Sequence, residues 1–203
     1  FKSAGDCVYL VAAGALGIAG TVFADIVGWQ SGIVPSLDLG LSALMYEKLH
    51  EAICAGMVKS AHDLSEGGLG VALSECALGS GLGAKLSTAK IAAAAAACIP
   101  DDEPLNKAIL SRLDFALFGE GPARILVSLS AEHRSAFEKL MAGFACIELG
   151  TVTEQAALLF VDAAGGTVFS VPNGDLVGAW EAILPFEEEF GQEFEANQPE
   201  ASQ

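Results

Sequence analysis

Ser60-Ala61-His62-Asp63-Leu64-Ser65-Glu66-Gly67-Gly68-Leu69 is the stretch on which the reading of this chain turns. Beyond Gly68 the apolar residues Leu69, Val71, Ala72, Leu73, Cys76 and Ala77 recur at helical spacing, which predicts a buried helix entered through this polar, glycine-rich turn. The first turn of a helix leaves backbone N–H groups unpaired and carries the positive end of the macrodipole, and two glycines let an anion approach the backbone. Asp63 adds a hard oxygen of the kind Mg²⁺ prefers, and Ser65 a hydroxyl that suits a helix cap or a phosphate. Local chemistry alone reads the same residues as an N-cap and a tight turn.

Upstream of this stretch, the run from Cys7 to Ala13 is apolar and rich in β-formers, so it reads as a buried strand. A glycine-rich segment over residues 14–23 follows, and then a Gly and Pro loop over residues 28–35. Asp38 sits in the first turn of a helix whose residues Leu41, Leu44, Met45, Leu49, Ala52 and Ile53 fall on one stripe, read as core. Gly56 ends that helix, and residues 57–61 form a short strand into the central motif. Downstream, residues 84–87 alternate as a strand, and Ser87 or Thr88 caps an alanine-rich helix over 90–98. Pro100-Asp101-Asp102-Glu103-Pro104 reads as a solvated loop before a helix over 105–112, not as a metal site.

Further on, Ile125 to Leu129 is a buried strand, and Ser130 caps a helix over 131–142 with Phe137, Leu140 and Met141 inward. His133, in its first turn, reads as a surface residue. Residues 146–149, 158–161 and 167–171 read as strands, the last two joined by a turn at Gly165-Gly166, and a final helix spans 175–184. There is no internal repeat and no strict βαβ rhythm. The fold class expected is α+β, a mixed β-sheet with helices packed mainly on one face, over residues 1–186, with an acidic, disordered tail at 187–203.

The chain has 203 residues and 52% hydrophobic content, enough to bury a core. A net charge of −16 argues against nucleic acid or an anionic membrane as partner, since both reward clustered Lys and Arg. Cys7, Cys54, Cys76, Cys98 and Cys146 lie in apolar runs without C-x-x-C spacing, which reads as buried thiols in a reducing compartment, the cytoplasm. No apolar run reaches membrane-spanning length, and a start at Phe1 suggests a trimmed fragment.

The ten-residue motif, with Ala72-Leu73-Ser74-Glu75-Cys76-Ala77 and Gly81-Leu82-Gly83-Ala84 behind it, resembles the phosphoribosylformylglycinamidine synthase family, in particular the last domain of its synthetase component. Gly5-Asp6 before the first strand, Leu117-Phe118-Gly119-Glu120-Gly121-Pro122-Ala123-Arg124, Gly150-Thr151-Val152 and Trp180 are also similar to that family. The resemblance covers most of residues 1–184 and implies the C-terminal domain of the aminoimidazole-ribonucleotide-synthetase-like superfamily. One departure stands out. Where the family carries a loop like Glu-Leu-Gly-Gly-Ser-Glu, this chain reads Gly14-Ala15-Leu16-Gly17-Ile18-Ala19-Gly20-Thr21-Val22-Phe23, without either carboxylate or the serine, so any role left to it falls on backbone or packing.

The resemblance implies an ATP-dependent ligase that converts formylglycinamide ribonucleotide to formylglycinamidine ribonucleotide with ammonia from a glutaminase partner. It implies Asp63 as a metal ligand, Ser65, Gly67 and Gly68 as nucleotide-binding residues, Mg²⁺ with ATP or ADP as cofactors, and Glu120 as a substrate contact by pseudo-symmetry. The plainer reading of Glu120 is an ion pair with Arg124. No catalytic residue is assigned, His62 included: it supports Asp63 or the turn, and the family's catalytic histidines lie in an upstream domain, so the fragment is expected to be inactive alone. Implied partners are upstream domains of the same synthetase, the glutaminase subunit and a small accessory subunit, as in the small, multi-subunit form. Self-association of the isolated domain would show as an exposed apolar patch. Two alternatives stay open: a structural half-domain that binds nothing, and another superfamily member such as aminoimidazole ribonucleotide synthetase or selenophosphate synthetase.

Overall fold

Strand β1 (Cys7–Ala12) is buried along its whole length, and its alternate side chains supply two separate cores. Both faces must therefore be covered, which is why the strand carries six consecutive apolar residues rather than an alternating pattern. The computed structural model describes residues 1–29, 34–99 and 112–182. The expected loop at 100–104, the helix at 105–112 (apart from Arg112) and the acidic tail at 187–203 lie outside the described residues.

After β1 come α1 (Val22–Val27), α2 (Leu39–Cys54), β2 (Val58–Asp63), α3 (Gly68–Leu78), β3 (Gly83–Ser87) and α4 (Thr88–Ala97). They are followed by α5 (Leu113–Phe118), β4 (Arg124–Leu129), a single 3₁₀ turn (Ala131–His133), α6 (Arg134–Leu140), β5 (Ala145–Thr153), β6 (Ala157–Val161), β7 (Thr167–Pro172) and α7 (Asn173–Trp180). The strands form one seven-stranded sheet in the order β2-β4-β1-β5-β3-β6-β7. Every neighbouring pair is antiparallel except β3 with β6. On one face Val8, Leu10 and Ala12 meet residues of α3, α4 and α5, with Phe23 of α1 and Leu176 of α7 packed against them. On the other, Cys7, Tyr9 and Val11 meet Met45, Leu49 and Ala52 of α2 and Phe137 of α6. This is the mixed α+β sheet expected, with most helices on one side.

Local chemistry sets the helix starts. Asp38 Oδ1 accepts from the Leu41 N–H (2.9 Å), Ser87 Oγ from Lys90 (3.4 Å) and Thr21 Oγ1 from Ala24 (3.0 Å). Ser130 does not do the same. Its hydroxyl turns to Glu132 Oε1 (3.0 Å), and the expected helix over 131–142 divides into the 3₁₀ turn and the shorter α6.

Three further expectations need correction. The α2 stripe is only half core: Met45, Leu49 and Ala52 are buried, but Leu41, Leu44 and Ile53 are exposed, because the contact with the sheet and α6 covers a narrower arc than the apolar residues span. The cysteines are not all buried, since Cys54 lies on the solvent side of α2 with its thiol 3.4 Å from His50 Nε2. Gly150-Thr151-Val152 falls inside β5 rather than between strands, and a register shift between Val8 and Tyr9 accommodates the longer pairing with β1. No helix among the described residues is long and apolar enough to cross a membrane.

Candidate functional site

Strand β2 runs two residues further than expected, so His62 and Asp63 end an edge strand and only residues 64–67 turn into α3. Alternation along β2 leaves Asp63 exposed. Ser65 Oγ donates to Asp63 Oδ2 (2.6 Å), and that hydroxyl, ahead of a backbone N–H, holds the Asp63 carboxyl below the usual carboxylate range. His62 faces the other way: its Nε2 lies 2.8 Å from Glu75 Oε2 and its Nδ1 2.7 Å from the Asp63 carbonyl. The imidazole thus ties the end of β2 to α3.

The paired glycines are explained by packing. Gly67 and Gly68 both have positive φ (78° and 60°), a region that L side chains avoid. A Cβ on Gly68 would stand 2.4 Å from the Gly119 carbonyl oxygen and 3.0 Å from that of Leu117. Their N–H groups are also engaged within the chain. Gly68 donates to the Ser65 carbonyl (3.1 Å) and Gly67 to Glu120 Oε1 (2.8 Å).

Glu120 is held in place by its backbone, which exchanges two hydrogen bonds with Gly17 (2.9 and 3.0 Å). The altered segment over 14–23 is therefore structural here: Gly17 pins the Glu120 turn, Leu16 and Ile18 are buried, and Phe23 stacks on Phe118 with centroids 5.4 Å apart. The expected pair between Glu120 and Arg124 does not form. Arg124 is 1% exposed and gives Nη1 to the Gly119 carbonyl (3.0 Å); among the described residues its Nε and Nη2 have no oxygen partner, and the Cys98 thiol lies beside the guanidinium as a weak acceptor. Burial pushes its guanidinium pKa down and that of the neighbouring Cys98 thiol up.

The structure thus groups Asp63 with Ser65 on the exposed side of the turn, and Gly67 and Gly68 with Glu120 on its inner side. Sequence reasoning missed Gly17 and Glu75, whose links to the motif are long-range contacts with no local signal. No group of three or more His, Cys, Asp or Glu suited to a metal ion occurs among the described residues. A cleft of about 430 Å³ between α3 and α7, lined by Glu75, Leu78, Gly79, Val177, Trp180 and Glu181, contains none of the five candidates.

Residues 3–161 match the family described as AIR synthase related protein, C-terminal domain. The chain belongs to this family. As an AIR synthase related C-terminal domain, it is 34% identical over 157 residues to the phosphoribosylformylglycinamidine synthase subunit PurL of Synechocystis sp., covering 76% of this chain and 18% of that protein. To the PurL subunit of Anaeromyxobacter sp. it is 35% identical over 189 residues, covering 91% of this chain and 23% of that one. The domain therefore spans about a fifth of the length of these curated relatives. Among solved structures, Thermotoga maritima PurL complexed with FGAR superposes with a TM-score of 0.66 at 22% identity, over 86% of this chain and 28% of the other, a likeness of fold.

Proposed function

We propose that this chain is the C-terminal domain of an ATP-dependent ligase, a phosphoribosylformylglycinamidine synthase, and that it contributes Asp63 and Ser65 to a Mg–nucleotide pocket completed by a neighbouring domain. The observation that carries this reading is the exposed Asp63 carboxylate at the end of β2, oriented by the Ser65 hydroxyl, in a domain whose relatives are subunits of that synthase. Mg²⁺ suits such a site because it keeps most of its waters and takes one or two carboxylates together with phosphate oxygens, so a full protein cage is not needed. Bound there, the ion would neutralise phosphate charge. Asp63 would hold it, and Ser65 orients the carboxylate. The T. maritima PurL protein has been solved with ATP and with ADP, and in a PurLQS assembly. By analogy, the partners proposed here are upstream synthetase domains, a glutaminase subunit and a small accessory subunit, with the cytoplasm as compartment.

A second reading, a scaffold half-domain that binds no nucleotide, is favoured by the Gly67 and Gly68 N–H groups being engaged within the chain and by the loss of acids from 14–23. Calorimetric titration of Mg·ADP into the complete synthetase, wild type against Asp63→Asn, separates the two. A metal-ligating role predicts a loss of about tenfold in affinity, roughly 1.4 kcal/mol. Equal binding with unchanged thermal stability would leave the domain as scaffold.

A further inference from the structure

We propose that the cleft between α3 and α7 is a docking site for an arginine-bearing segment of a partner protein. Both helices end there. The cleft, about 430 Å³ in volume, is lined by Glu75, Leu78 and the C-cap Gly79 of α3 and by Val177, Trp180 and the C-cap Glu181 of α7. A helix carboxyl end carries the negative pole of the macrodipole, so a cation is favoured beside it. Neither helix has a basic residue in its last turn to meet that need. Two negative poles therefore open on one cleft, together with two carboxylates. The end of α3 already draws one cation, since the Phe1 ammonium donates to the Cys76 carbonyl (2.8 Å), but Phe1 does not line the cleft.

The walls select among cations. Trp180 is 67% exposed and Val177 39%, so the cleft offers an aromatic face and an aliphatic side to an incoming group. A guanidinium suits such walls better than an ammonium does: it is planar, stacks on an indole, is weakly hydrated and reaches a carboxylate with a fork of N–H groups. Glu75 Oε2 lies 2.8 Å from His62 Nε2, and among the described residues no Lys or Arg pairs with Glu75 or Glu181. The charge has to come from another protein. Residues 183–203 contain no Lys or Arg and several glutamates, and a second copy of a chain with net charge −16 is repelled as a whole. Asp63 and Ser65 do not line the cleft, so its occupancy is independent of the nucleotide reading.

The test is NMR titration of the ¹⁵N-labelled 203-residue chain with the blocked tripeptide acetyl-Leu-Arg-Leu-amide, followed at the Trp180 indole N–H and the Gly79 amide. Saturable shifts of both signals are expected in the wild type, with affinity falling as ionic strength rises. The same peptide with citrulline in place of arginine keeps the shape and loses the charge, and is expected to bind at least about tenfold more weakly. Trp180→Ala and Glu181→Gln change exposed side chains, so both variants should fold, and each is expected to weaken the arginine peptide at least about threefold as read at Gly79. Equal binding of the two peptides, no saturable shift in the wild type, or full affinity in either folded variant overturns the proposal. Guanidinium chloride that matches the peptide in affinity overturns it in favour of a free small cation, and Trp180 signals that move on dilution of the chain alone overturn it in favour of a second copy.

Discussion

Asp63 and Ser65 are two residues apart, and one hydrogen bond of 2.6 Å between them sets the chemistry of the exposed side of the motif. An aspartate beside a donating hydroxyl releases its proton more readily than one in water, because the hydroxyl favours the charged form. The folded-state pKa of Asp63 is lowered, so the stability it contributes is present above its unfolded value and fades as pH falls through the folded one. With the side chain 74% exposed, that contribution is screened to about 0.3 kcal/mol, too little to select for on stability grounds. The expected effect is on titration instead. In Ser65→Ala, ¹³C NMR should show the Asp63 carboxyl titrating at higher pH than in the wild type, toward an ordinary aspartate. If the two curves coincide, Ser65 does not tune the carboxylate and its claim on the candidate metal position lapses.

At the level of elements, α3 docks against the segment between α5 and β4 through glycines, with no room for a side chain. Gly68→Ala should destabilise the chain by about 3 kcal/mol, combining the cost of a positive φ with the overlap on the Gly119 carbonyl. Gly67→Ala meets the Val71 side chain alone, overlapping Cγ2 and standing 3.0 Å from Cβ, with no backbone atom in the way, and should cost less, about 2 kcal/mol. Urea denaturation without nucleotide measures both. Losses that appear only when nucleotide is present would return the glycines to phosphate binding. This docking marks where reading the sequence stops. The motif, the strand before it and the helix after it were legible because polar turn chemistry and helical periodicity are local. The contact of Gly67 with Glu120 was not, because no local pattern links residues 53 apart; Glu120 entered only through resemblance, and with the wrong partner. Helices α1 and α5, six residues each, are too short for periodicity to reveal. The α2 stripe misled for the opposite reason, since its periodicity is clear but says nothing about how wide an arc its neighbours cover.

Across the whole molecule, the central sheet carries acids that the fold keeps protonated. Tyr9 lies fully buried on β1 with its hydroxyl donating to Glu138 Oε1 of α6 (2.6 Å), and burial, reinforced by Glu138, pushes its pKa well above the usual tyrosine range. Cys146 on β5 is pushed up to about 12, mainly by burial and then by Glu138, and the Cys76 and Cys98 thiols are raised by burial too. Glu148 also faces Tyr9 with the same sign of effect, while Arg134 opposes it. All four groups bind their protons more tightly folded than unfolded, so the stability they support is intact below the unfolded values and is lost as pH rises through the folded ones. The thiols lose theirs from their ordinary value of 9.0 upward and Tyr9 from 10.0 upward. Each group costs about 1.4 kcal/mol per pH unit once its unfolded form ionises, against a total stability of about 5–15 kcal/mol for a domain. Denaturant unfolding of the 203-residue chain should therefore show stability level near pH 8 and falling progressively from pH 9 to 11. Cys146→Ala should shrink that slope by about one proton's share while leaving the pH 8 value within the cost of losing one half-buried sulfur, and Tyr9→Phe should do the same above pH 10. A flat profile from pH 8 to 10.5 would mean that these groups reach water in the folded chain, and that the two cores on either side of β1 are less closed than the structure makes them.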